Sequence, residues 1–414
     1  MSGTTPGFTT AGPLSHLKVL DLSRVLAGPW AGQALGDLGA DVIKVESPQG
    51  GDDTRKWGPP FLDALGETRD AAYYTACNRN KRSVTIDFAR PEGAEMVRRL
   101  AARCDVVIEN FKVGGLAKYG LDHESLRACD PRLIYCSITG FGQTGPYAHR
   151  AGYDFLVQGM GGLMSVTGQP DGAPGAAPMK VGVAVSDLFT GMYAVSAILA
   201  ALIHRDRTGE GQHIDCALLD CQVAMLANQG ANWLSGGLVP TRLGNNHPNV
   251  VPYSVYPVAD GHVIVACGND GQFRKLGIAL GSPALADDAR FSTNDARVRN
   301  RAATDDELTR LLAKLTREEA IAKLECAGVP CGPINALPDV FADPHVKARG
   351  LEVMLERSDG ARVSGVAFPA RLSATPATLR AAPPRLGQDT EAVLGEELGL
   401  DAPAIASLRA QGVV

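Results

Sequence analysis

Asp187 stands directly before an eighteen-residue, mostly apolar stretch, Leu188 to Arg205 (LFTGMYAVSAILAALIHR), which reads as a buried helix closed by charged residues. This predicts Asp187 at the helix N-cap, where unpaired backbone N–H groups and the helix dipole favour a negative charge, and hence a carboxylate ionised at neutral pH. Capping alone is enough to explain an Asp there. Chemistry is the other reading, and it depends on what the chain brings to the same place. Three segments carry cations and amides: Asn78-Arg79-Asn80-Lys81-Arg82, Glu109-Asn110-Phe111-Lys112, and Gly114 to Gly120 with Lys118. Several cations beside an aromatic suit a nucleotide with phosphates and a purine. Each segment by itself reads equally well as a solvated loop.

The elements between these segments predict that they meet. Leu17 to Leu22 (LKVLDL), a small-residue helix pattern through Gly39, and Asp41 to Glu46 (DVIKVE) form a βαβ unit. The alternation continues with Ser83 to Asp87, a helix from Pro91 to Arg103, Asp105 to Glu109, Leu133 to Ile138 and Gln212 to Ala217. Alternating strands and helices predict an α/β fold with a parallel sheet covered on both faces, whose ligands bind at the carboxyl ends of the strands. The first βα turn, Ser23 to Pro29, carries Gly28 and then Gly32 without GxG spacing, so a nicotinamide dinucleotide is not expected.

Beyond Ala217 a long helical pattern runs through Leu234, and the texture then changes. Closely spaced strand signals between Gly244 and Phe273 include a hairpin turned at Asp260-Gly261. A charged helical region from Thr304 to Ala327 opens on a capping-box pattern, Thr304 with Glu307. Another strand pair surrounds Asp359-Gly360, and Asp389 is placed to cap a last helix. The predicted division is a large domain over 1–217, a linker helix over 218–239, a smaller α+β domain over 240–335, and a return to the large domain over 336–414.

Composition excludes several classes. In 414 residues, 45 acids against 40 bases give a net charge of −5 with no basic block, which argues against a nucleic-acid surface. Nine Cys without a CxxC pair or a His/Cys cluster fit free thiols in a reducing compartment and no metal site. The N-terminal MSGTTPGFTTAGP reads as a lead-in without the layout of a secretory signal, so a cytoplasmic protein is expected. The helix after Asp187 is interrupted by Thr190, Gly191 and Ser196 and ends at His204-Arg205-Asp206; it is read as too short and too interrupted for a membrane span.

Longer strings carry a resemblance: LSRVLAGPWAGQALGDLGADVIKVE, NRNKRSVTIDF, DVVIENFKVGGLAKYGLD, RLIYCSITGFGQTGPYAHRAGYDFLVQGMGGLM, GVAVSDLFTGMYAVSAILAAL and GEGQHIDCALLD. From about Leu17 to the C-terminal PRLGQDTEAVL the chain resembles the class III CoA-transferases, the group containing formyl-CoA and carnitine CoA-transferases. The resemblance implies a Rossmann-like large domain formed by both chain ends, a small middle domain, and a homodimer of interlocked rings. It implies that Asp187 is the nucleophile. The implied CoA contacts are Leu26, Ala27, Asn78, Arg79, Asn80, Asn110, Phe111, Lys112, Lys118, Tyr153 and Asp154, with Lys118 at a position often held by Arg. The glycine-rich loop of formyl-CoA transferases is not present as a GGGG run; Gly244, Asn245, Asn246 and His247 take its place, with backbone N–H groups to hold an oxyanion.

The chemistry implied is covalent catalysis by a carboxylate: an aspartyl acyl anhydride, then an aspartyl-CoA thioester, then the reverse exchange on an acceptor acid. A CoA thioester and a carboxylic acid are then the substrates, with no permanently bound cofactor. The alternative is a 2-methylacyl-CoA racemase, which resembles this chain around Asp187 but uses a His in an AGHD-like segment. Here the segment is Ala151-Gly152-Tyr153-Asp154, and a phenol is a poor base at neutral pH; His149 reads as a surface loop residue. A CoA-binding protein without activity is a third reading, against which Asp187 argues, since a carboxylate beside a CoA pocket repels phosphate. The middle segment and GVPCGPIN are most similar to the succinyl-CoA-dependent, glutarate-type dicarboxylate enzymes, with Arg24, Asn246 and His247 as candidates for the second carboxylate.

Overall fold

The computed structural model describes residues 12–62 and 69–414. The stretch read as an N-terminal lead-in falls largely on residues 1–11, outside the described residues. The chain divides into two compact units, one of residues 1–161, 182–225 and 344–414, the other of residues 162–181 and 226–343.

The first unit is built on β1 (Lys18–Asp21), β2 (Asp41–Glu46), β3 (Lys81–Thr85), β4 (Val106–Glu109), β5 (Ile134–Thr139) and β6 (His213–Ala217). All pairings are parallel, in the order β3-β2-β1-β4-β5-β6. The strands radiate from β1 in one direction and from β4 in the other, and ligands of doubly wound sheets bind at such a reversal. In chain order the helices up to residue 234 are α1 (Ala27–Asp37), α2 (Ala72–Thr75), α3 (Pro91–Ala101), α4 (His123–Cys129), α5 (Asp154–Met160), α6 (Leu163–Val166), α7 (Val185–Thr208), α8 (Leu218–Ala224) and α9 (Ala227–Leu234).

Each strand feeds both faces because successive side chains alternate. Leu20, Ile43, Val84 and Val107 pack with Val97 and Leu100 of α3 on one face. Val19, Val42, Val106 and Ile134 pack with Leu35 of α1 and Val195 and Ile198 of α7 on the other. Gly191 is where α7 meets α1: a Cβ there would lie 2.8 Å from the Ala27 carbonyl oxygen and 3.1 Å from Trp30. This close approach sets the start of α7 against the β1–α1 turn.

Several sequence expectations are corrected. The pattern from 218 to 239 is not one linker helix; α8 and α9 are separate, and Met225 and Leu226 stand between them. α7 runs 24 residues, so it is not too short for a bilayer; by length and composition it is able to cross one. Its Ala194, Val195, Ile198 and Leu202 are nevertheless buried in the sheet-facing cluster. Asp389 occupies an N-cap position, but its carboxylate accepts from the Ser83 N–H at 2.9 Å and so ties the last helices to β3 instead of capping.

The second unit contains an antiparallel hairpin of β7 (Tyr253–Val258) and β8 (Gly261–Ala266), turned at Ala259-Asp260, with β9 (Cys331–Gly332) beside β8. Val263, Val265, Phe273, Leu276, Leu308 and Leu324 form its core. The charged region is two helices, Arg301–Leu312 and Arg317–Cys326, and the capping box lies at Thr316 and Glu319. Thr304 sits inside the first helix, buried, with its hydroxyl donating to the Asn300 carbonyl at 3.1 Å. Both Thr/Glu pairs fit the motif; packing of Leu308 and Leu312 extends the first helix past Thr304. The hairpin around Asp359-Gly360, β10 (Glu352–Glu356) with β11 (Arg362–Val366), belongs to the first unit.

Candidate active site

A buried polar frame fixes the β1 turn. Lys44 Nζ donates to the Ser23 carbonyl at 2.8 Å and pairs with Asp52 at 3.0 Å, both side chains fully buried. Asp52 in turn accepts from the Val25 N–H at 3.2 Å. Asp21 takes Lys81 Nζ at 2.8 Å and the Ser23 N–H at 2.9 Å. Burial alone would raise the Asp21 carboxyl, but Lys81 and Lys44 outweigh it and hold it below the ordinary range. Held this way, Val25 adopts φ 73°, a left-handed conformation that a β-branched residue takes only under constraint.

That turn forms one wall of a cavity of about 470 Å³ at the carboxyl ends of β1, β4 and β5. Arg24, Leu26 and Ala27 line it from β1; Asn110, Phe111, Lys112 and Lys118 from β4; Thr139 and Gly140 from β5; and Tyr153 and Asp187 also face it. Gly140 and Gly152 cross so closely that a Cβ on Gly140 would sit 2.4 Å from the Gly152 Cα, and only glycine admits this corner. Phe111 packs edge-on against Phe88 at 5.6 Å, and the Arg24 guanidinium lies 5.5 Å from the Phe111 ring centre. Arg24 also pairs with Asp53 at 3.1 Å, with both side chains half exposed.

Asp187 lies within the first turn of α7, two residues after its first residue, and not at the N-cap, which is Ala184. It is not held ionised as the sequence reading expected. Burial, and then the neighbouring charge of Asp154, push its carboxyl up to about 7. The cap bond comes from another helix, since Asp154 accepts from the Ser186 N–H at 2.8 Å. Glu109, the residue before Asn110, is also pushed up to about 7 by burial, against bonds from Ser137 and the Phe111 N–H.

Other residues carried over by resemblance are placed elsewhere. Asn78, Arg79 and Asn80 do not line the cavity; they are buried in structural bonds. Arg79 pairs with Asp37 at 2.6 Å and donates to the Val366 carbonyl at 2.8 Å. Asn78 donates to the Tyr74 carbonyl at 2.8 Å and Asn80 to Asp37 at 2.7 Å. Asp154 also stands outside the lining, facing Ser186. Gly244, Asn245, Asn246 and His247 belong to the second unit. There the N–H groups of Gly244, Asn246 and His247 already bond the carbonyls of Gly168, Leu243 and Tyr253, so they are not free oxyanion donors in this conformation.

A nucleotide-sized cavity at a sheet reversal, a part-buried carboxylate inside it and exposed cations at its mouth agree with one family model, CoA-transferase family III, which matches residues 14–390. The chain belongs to that family. It is therefore a transferase, with acyl-CoA and carboxylic acid substrates. The chain is 58% identical to the succinate–glutarate CoA-transferase of Agrobacterium fabrum, over 93% of this chain and 95% of that protein. It is 43% identical to the succinyl-CoA:glutarate CoA-transferase of Homo sapiens, over 97% and 90%. A crystal structure of a CaiB/BaiF family protein from Brucella suis is similar with a TM-score of 0.82 and 57% identity, covering 93% of this chain and 99% of that one.

For a family member, the cavity also shows residues that the sequence reading missed. Arg150 lines it, its guanidinium 5.2 Å from the Phe141 ring centre and 4.7 Å from that of Tyr147. A cation directly before Ala151-Gly152-Tyr153 was the available signal. Phe88 lines it from the turn after β3, and Tyr119 from a single 3-10 turn, Ala117–Tyr119, within the Gly114–Gly120 segment where only Lys118 was singled out. Among the described residues no histidine is in the lining, and His149 is exposed, as expected of a loop residue.

Proposed function

We propose that this chain transfers CoA from succinyl-CoA to glutarate through an aspartyl-CoA thioester on Asp187. The observation that carries the reading is that Asp187 lines the same cavity as Asn110, Lys112 and Lys118. Leu26, Ala27, Asn110, Phe111, Lys112, Lys118 and Tyr153 are assigned to CoA, with the cations at its phosphates. The names of the relatives support succinate and glutarate as the acids.

In the proposed cycle the Asp187 carboxylate attacks the succinyl thioester carbonyl and expels CoA thiolate, leaving an aspartyl–succinyl anhydride. The thiolate attacks the aspartyl carbonyl and releases succinate. Glutarate then attacks the aspartyl-CoA thioester, and the thiolate leaves and returns to the glutaryl carbonyl, which restores the Asp187 carboxylate. One thioester is made for each one broken, so no ATP is consumed.

A second copy of the chain is part of the proposal. Phe155, Leu156 and Met160 of α5 and Phe189, Met192 and Tyr193 of α7 are exposed together, an apolar surface that an interlocked homodimer would cover. Sedimentation at low concentration is expected to show dimer only, and a folded monomer in equilibrium with it would contradict this. All nine cysteines are free thiols, which supports a reducing, cytoplasmic setting.

The test pairs Asp187→Asn with two substrate mixtures. The parent should form glutaryl-CoA from succinyl-CoA and glutarate and carry a hydroxylamine-sensitive adduct on Asp187; the variant should fold and lose at least about 10³-fold in rate. In D₂O, 2-methylacyl-CoA should gain no deuterium. Deuterium uptake without glutaryl-CoA would assign the racemase instead.

A further inference from the structure

The start of α7 is fastened from two other helices. Asp154, the first residue of α5, accepts from the Ser186 N–H at 2.8 Å through Oδ1 and from Gln158 Nε2 at 2.7 Å through Oδ2. The Ser186 hydroxyl donates to Gln222 Oε1 of α8 at 2.7 Å. Ser186, Gln158 and Gln222 are all buried. A neutral acceptor would serve the backbone bond equally well: an Asn at position 154 presents the same Oδ1 to Ser186, and Gln158 can turn its amide toward the Asn NH₂. The carboxylate adds a negative charge beside Asp187, at the point where a second one is least welcome.

We propose that Asp154 is a positioning residue for the transfer reaction, fixing the backbone at Asp187 and using its charge to drive Asp187 from the free carboxylate into the neutral covalent forms. This rests on Asp187 being the nucleophile. Forming aspartyl-CoA breaks the succinyl–sulfur bond, makes the aspartyl–sulfur bond and discharges the negative charge as succinate. Two neighbouring carboxylates become one, so repulsion present in the resting enzyme is absent from the thioester. The same repulsion makes the free carboxylate more basic and a better nucleophile.

The surroundings leave that repulsion uncompensated. Burial first, and then Asp154, raise Asp187, and among the described residues no cation offsets them; Arg24, Lys112, Lys118 and Arg150 line the same cavity. From α2 the Tyr73 phenol faces the pair and is itself pushed up to about 12, by burial and then by Asp187. Cys216 of β6 and Cys221 of α8 bond to Thr190, one turn further along α7. α1 has Asp37 as its one charged side chain, at its last position and paired with Arg79.

The experiment uses the full-length enzyme and Asp154→Asn. With succinyl-CoA and succinate but no acceptor, intact-mass spectra give the equilibrium between free enzyme and aspartyl-CoA; kcat/KM against pH gives the acidic limb. The Asn variant is expected to lower that equilibrium constant about tenfold and to move the limb from about 7 down by about one unit, two readings of the same free energy. Asp154→Ala, which loses the bonds as well, should show the same limb shift with a lower melting temperature, and it provides the limb if the Asn variant does not fold. A parental limb and a parental equilibrium constant in either folded variant overturn the proposal. A parent that forms no adduct on Asp187 overturns the nucleophile reading, and this proposal with it.

Discussion

Arg24 and Asn110 exchange two hydrogen bonds: Asn110 Oδ1 accepts from the Arg24 N–H at 2.9 Å, and its Nδ2 donates to the Arg24 carbonyl at 2.6 Å. The bonds tie the loop after β1 to the loop after β4, the neighbouring strands from which the sheet winds in opposite directions. Asn110→Ala removes both. At about 1 kcal/mol net for each bond, CoA binding should weaken by roughly five- to thirtyfold. Calorimetric titration with CoA reads this, and parental affinity would show that the loops hold without the clasp.

The raised carboxyl of Asp187 has a consequence for stability as well as for rate. Its value is about 7 in the folded chain against an ordinary 3.8, so the folded state binds the proton more tightly and the stabilisation this gives is lost as pH rises through about 7. Asp187→Asn cannot ionise. It should melt above the parent at pH 8, and the difference should vanish below 3.8; a melting difference independent of pH would contradict the shift. The parent's transfer rate should rise through the same window, since only the carboxylate attacks.

Arg79 separates a structural role from a CoA contact. Replacing it by Met leaves Asp37 buried without its guanidinium partner, which should cost about 3–5 kcal/mol of stability. Chemical denaturation measures the loss. CoA affinity of the folded variant should stay at the parental value, and a selective rise in KM for the acyl-CoA without loss of stability would return Arg79 to the binding site.

The sequence by itself determined the six strands of the parallel sheet and the family, because buried strands write themselves as short apolar runs and the family strings extend over most of the chain. It also singled out Asp187, Asn110, Phe111, Lys112 and Lys118, all of which line the cavity. Only the tertiary structure separated cations facing the cavity from cations closing the core. Lys81 and Arg79 read like Lys112 and Lys118 in a string, yet Asp21 and Asp37, distant in sequence, claim the first pair. Tertiary structure likewise decided the state of Asp187. A helix start next to an Asp favours the anion, but Asp154, thirty-three residues earlier, takes the cap and adds its charge. Burial and through-space repulsion depend on which residues fold together, and no local pattern records that.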